Sequence, residues 1–187
     1  MAIRFGVDYR NAERLMSKYK NLVYEVTFGG GLLARGFWLY VWEITRPNGA
    51  KLYYVGRTGD SSSINAQSPF SRMGQHLGFN KRANALRRLL IGHGVGANVE
   101  TCSFRLVAYG PILEEAHDAR QHSSRRDIVA SLEKALADAM YQSGHDIINT
   151  VHCKKPLDAS LFADVRTAFA TSFPKLQGSE NYAGGAL

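Results

Sequence analysis

The stretch Phe37-Trp38-Leu39-Tyr40-Val41-Trp42-Glu43-Ile44 constrains this chain more than any other, because it is aromatic and β-branched almost throughout. Such residues favour a pleated strand. Arg46-Pro47-Asn48-Gly49 follows with turn chemistry, and Lys51-Leu52-Tyr53-Tyr54-Val55-Gly56 returns as a second strand. The two runs predict a β-hairpin, so the fold must contain a sheet.

The pattern on either side of the hairpin is mixed. Residues 8–20 read as a short amphipathic helix through Leu15, Met16 and Tyr19, and residues 22–28 as a strand. Gly29-Gly30-Gly31 then breaks the chain and sets an N-terminal extension, residues 1–35, apart from a main domain over residues 36–150. After the hairpin comes a polar loop, residues 60–67, and then Ser68-Pro69, a helix start that should carry the chain through Arg72 and His76 to about Leu77. A basic helix is expected over residues 81–92, a third strand over 102–109, and a long helix over 128–143 striped by Leu132, Leu136 and Met140. Residues 151–187 are read as a C-terminal helix, 158–172, with a frayed tail from Gln177 onward. The fold class is α/β of the α+β type: a small antiparallel or mixed sheet, opened by the hairpin and flanked by helices.

Composition narrows the function classes. At 187 residues with 45% apolar and 21% charged residues, the chain fits one globular domain. It contains no apolar run of membrane-spanning length. The first residues, Met-Ala-Ile-Arg-Phe-Gly-Val-Asp, lack the apolar core of a signal peptide, and Cys102 and Cys153 support neither a disulfide framework nor a zinc site. A cytoplasmic protein is expected. The net charge of +7 suits a polyanionic partner but is weak on its own.

Trp38-Leu39-Tyr40 and Tyr54-Val55-Gly56 together resemble the paired signature of the GIY-YIG nucleases, with Trp38 and Leu39 replacing the first glycine and isoleucine. Further residues follow in that family's order: Arg72 and His76 four apart on one helix, Glu133 in a later helix, and Asn149 beyond it. The resemblance covers residues 36–150. Residues 60–67 look like an insertion within it. Arg72 is taken as the family's arginine in preference to Arg57, because only Arg72 has a histidine one turn away on the same face.

The resemblance implies Mg²⁺-dependent hydrolysis of DNA, with Mn²⁺ able to substitute. Glu133 would give one metal ion a hard oxygen ligand, and Arg72 would brace the phosphate with a permanently charged fork. Tyr40 and Tyr54 would hold the attacking water. A phenol needs help from Arg72 or the metal to act as base, and His76, ordinarily near pKa 6.5, is the rival for that role. Asn149 would orient its neighbours. Arg57 and the basic helix, with Lys81, Arg82, Arg87 and Arg88, would contact double-stranded DNA.

Each of these residues also has an ordinary reading as a strand aromatic, a solvated charge or a turn amide. It is their joint order that favours the nuclease. With no room for a separate recognition module, the chain is most like a compact type II restriction endonuclease, and double-strand cleavage would require a homodimer. A structure-selective or phage-encoded nuclease of the same class is the first alternative. A catalytically silent nucleic-acid-binding domain is the second.

Overall fold

The computed structural model describes residues 23–61, 63–78 and 84–178, without the side chains of 96–98. The expected hairpin forms from β1 (Phe37–Thr45) and β2 (Lys51–Arg57). They pair antiparallel, with Tyr40 opposite Gly56 and Trp42 opposite Tyr54. The turn is closed by Arg46 N–H donating to Ala50 O at 2.8 Å, with Gly49 at the positive φ of 82° that turns of this kind demand of glycine. β3 (Ser103–Leu113) pairs antiparallel with the other side of β1, giving the order β2-β1-β3.

Being central, β1 is covered on both sides, and all but its last residue are buried. This explains why its sequence from Phe37 to Trp42 is continuously apolar and does not alternate. Tyr40, Trp42 and Ile44 face one cluster with Leu86, Leu90, Met73 and Leu77, which belong to α1 (Pro69–Leu77) and α2 (Ala85–Gly92). Leu39 and Val41 face the other, with Leu132, Leu136, Met140, Phe162, Val165 and Phe169 from α3 (Ala119–Gln142) and α4 (Ala159–Ala170). The result is an α+β domain with a three-stranded antiparallel sheet between two layers of helices.

Several expectations need correction. Residues 23–28 form no strand, and Val23, Tyr24 and Val26 stand exposed. Their β-propensity is real, but a strand needs a neighbour, and this segment has none among the described residues. The expected helix over 8–20 lies outside the described residues. α3 begins nine residues before position 128, with the Asp118 side chain accepting from Gln121 N–H at 2.7 Å as its cap. This first part is polar, so no apolar stripe marked it. β3 runs on past Tyr109 through Gly110-Pro111, because an edge strand tolerates proline. Gln177 is not frayed: it lies in a 3₁₀ turn, Pro174–Gly178, that buries Leu176. No helix among the described residues is long and apolar enough to cross a membrane.

Candidate active site

The site begins with a glycine. A side chain on Gly56 would meet the Tyr40 ring at 2.6 Å, so the ring lies directly over the β2 backbone. From there Tyr40 Oη reaches His76 Nε2, 2.6 Å away in a buried contact. His76 is delivered by α1, which starts as expected: the Ser68 side chain accepts from Ser71 N–H and Pro69 occupies the first turn. The Tyr54 ring meets His76 edge-on, with centroids 5.1 Å apart, so both tyrosines of the hairpin converge on this imidazole.

Two ion pairs flank the aromatic group. Arg72, one turn before His76, places Nη2 2.8 Å from Asp60 Oδ2 and donates from Nη1 to Gln75 Oε1 at 3.1 Å. Arg57, at the end of β2, places Nε 2.8 Å from Glu133 Oε2, which α3 carries to the outer edge of the sheet. Arg57 Nη1, Arg72 Nε and His76 Nδ1 are buried with no hydrogen-bond partner among the described residues. Unpaired buried donors are costly, and three in one cluster make a setting for an anion.

Burial dominates the proton affinities. It pushes the Tyr40 phenol well above its usual range, helped by the neighbouring Tyr54, and Arg72 only partly opposes this. Tyr54 is pushed up to about 12 by burial and by the Glu133 charge. Burial, then the Arg72 charge, lowers His76 to about 4. Glu133 is raised to about 7 by burial, against the pull of Arg57. Arg72 alone therefore does not bring Tyr40 below an ordinary phenol, and burial takes His76 below its ordinary 6.5. At neutral pH Tyr40 is protonated and donates to Nε2, which leaves the imidazole proton on Nδ1.

Asn149 acts on backbone. Its Oδ1 accepts from Val55 N–H at 3.0 Å and its Nδ2 donates to Val55 O at 2.7 Å. The preceding residues run beside β2, where Tyr53 N–H donates to Asp146 O and Ile148 N–H to Tyr53 O, both at 2.8 Å. The amide thus adds one more rung to this edge and fixes the segment between Tyr54 and Gly56. Of the basic residues expected to meet DNA, Arg57 belongs to the site itself, Arg87 donates to Leu77 O at 3.3 Å, and Arg88 is exposed. Lys81 and Arg82 lie outside the described residues.

Sequence reasoning did not identify Asp60 or His122. The buried His122 donates from Nε2 to Ser61 O at 2.9 Å, tethering the loop that holds Asp60. Neither contact leaves a spacing signal, since the partners are far apart in the chain. The fold and site together define an α+β domain with a buried tyrosine–histidine pair between two arginine–carboxylate ion pairs. No protein-family model, curated protein or solved structure matches this chain.

Proposed function

We propose that this protein is a GIY-YIG-like DNA endonuclease that hydrolyses phosphodiester bonds with Mg²⁺, a cytoplasmic type II restriction enzyme acting as a homodimer. The observation that carries this reading is the set of unpartnered N–H groups on Arg57, Arg72 and His76, gathered around a tyrosine–histidine hydrogen bond. A phosphate needs donors of this kind, and charge grows on its oxygens during hydrolysis.

Among the described residues, no three His, Cys, Asp or Glu side chains group to hold a metal ion. A single carboxylate still fits Mg²⁺, which keeps most of its water shell and takes only one or two protein ligands. Glu133 fits that part: Arg57 engages its Oε2, and its Oε1 accepts no hydrogen bond among the described residues. A bound ion would supply positive charge to the phosphate and the leaving oxygen.

The chain's own residues would do the rest. Arg72 leaves Asp60 for the phosphate more readily than Arg57 leaves Glu133, because Asp60 is 43% exposed and Glu133 only 15%. A phosphate at Arg72 also screens the charge that helps depress His76, so Nε2 gains basicity as substrate arrives. Tyr40 can then pass its proton across 2.6 Å while taking one from water.

Incubation with plasmid DNA and Mg²⁺ tests the proposal, with discrete bands expected. Cleavage of branched or single-stranded DNA alone would favour a structure-selective nuclease, and binding without cleavage a silent binding domain. Arg72→Ala is expected to slow cleavage by more than about 100-fold, the scale for losing one transition-state donor. Arg57→Ala should cost less and act mainly on binding. The reverse ranking in single-turnover rates would transfer the phosphate role to Arg57.

A further inference from the structure

A cleft of about 590 Å³ opens between the 60–67 loop and α1, and its lining combines hydroxyls and amides, among them Asn65 and Gln67, with Leu33, Phe70 and Arg35. Two of its lining residues are chain neighbours of the site already described. Ser61 follows Asp60 and Ser71 precedes Arg72, and those two neighbours form the 2.8 Å ion pair. The cleft therefore adjoins the Asp60–Arg72 ion pair along the chain, with neither of those two residues in its lining.

The loop is tethered at two points, Ser61 and Ala66. Ala66 is fully buried, and its carbonyl accepts from Arg35 Nε at 3.3 Å. Arg35 is itself tied to Glu115 at 2.7 Å, and His122 holds Ser61 from the other end. The exposed residues on either side of the buried Ala66 are Asn65 and Gln67. Neither side-chain amide has a hydrogen-bond partner among the described residues, although the carbonyl of Ala66 between them is anchored. Exposed amides on a loose loop would be unremarkable solvated groups, but two on a tethered loop beside a phosphate-type cation are pre-organised for recognition.

Resting on the nuclease reading above, we propose that Asn65 and Gln67 read adenine in the major groove of duplex DNA bound at Arg72. A carboxamide presents one donor and one acceptor side by side. Adenine offers the matching pair, the N7 acceptor and the N6 donor, on its major-groove edge. Arg35 braces the loop through the Ala66 carbonyl.

The test is a pool of duplexes with randomised sequence. Products cut in Mg²⁺ and duplexes bound in Ca²⁺ are both sequenced, for the wild type, Asn65→Ala, Gln67→Ala and the double variant. The wild type should select adenine at a fixed distance from the cut. Each single variant should lose roughly 10- to 100-fold of the preference at one such position. This ratio is independent of total activity, and both side chains are exposed, so the variants should fold. An unchanged preference in the variants, or a wild-type preference without adenine, would overturn the assignment. Adenine selection among bound duplexes with no cleavage would reject the nuclease reading and keep this one. A pool neither bound nor cut would reject both.

Discussion

Glu133→Gln should abolish cleavage while leaving DNA bound, in filter binding as in gel shift. Glutamine keeps an oxygen within reach of Arg57 Nε, now 2.8 Å from the carboxylate, so the packing of α3 against the edge of the sheet survives. What it removes is the negative charge that a hard divalent cation requires. The same carboxylate predicts a pH dependence. With its proton affinity raised to about 7, Glu133 is increasingly protonated below neutrality, and proton and cation compete for it. Mn²⁺ affinity, read by calorimetry, should rise as pH approaches 7, level off above it, and be lost as pH falls. For stability the sign is opposite. The charged form is disfavoured in the fold relative to the unfolded chain, so the penalty appears as pH rises from the ordinary carboxylate range through 7. Near-normal cleavage by Glu133→Gln in Mg²⁺ would remove Glu133 from any metal-binding role.

The parts of the fold that were legible in advance are those where one physical signal dominates. The hairpin was readable because β1 opens on six consecutive apolar or aromatic residues, Phe37 to Trp42, and the turn is built from Pro47, Asn48 and Gly49. α1 was readable from Ser68 and Pro69, whose capping role is local. The polar start of α3 was not, since Arg120 to Asp127 offer no stripe, and its cap at Asp118 has no apolar run behind it. Residues 23–28 mislead for the converse reason: their side chains suit a strand, but no neighbouring strand among the described residues receives them.

The site divides in the same way. Tyr40, Tyr54 and His76 converge because a hairpin register and a helical turn fix them, and both can be counted along the chain. The pairing of Arg57 with Glu133 spans 76 positions, and that of Arg72 with Asp60 joins a loop to a helix. Neither has a period. Asn149 was visible as a residue, but its bonds run to the Val55 backbone and not to a reacting side chain. Proton affinities were the least legible of all, because burial sets them and burial belongs to the finished fold.

Tyr40→Phe should lower the cleavage rate by roughly 100- to 10,000-fold, the range for losing a positioned acid–base group. The ring would still lie over Gly56 and keep its place in the apolar cluster. Only Oη is lost, and with it the 2.6 Å bond to His76 Nε2. That leaves one buried nitrogen without its donor, a cost of about 1–3 kcal/mol that a thermal melt would record without loss of the fold. A tyrosine present only for packing would tolerate phenylalanine with little change in rate. His76→Ala distinguishes the two candidate bases. Because His76 is depressed to about 4 in the free protein, a fall in kcat/KM below pH 7 is expected from Glu133, and His76→Ala should slow the reaction without removing that limb. If His76 were the sole base, the limb would vanish with it, and Tyr40→Phe would retain substantial cleavage. A dead Tyr40→Phe together with a slow His76→Ala that keeps the limb near 7 would assign water activation to the phenol and proton acceptance to the imidazole behind it.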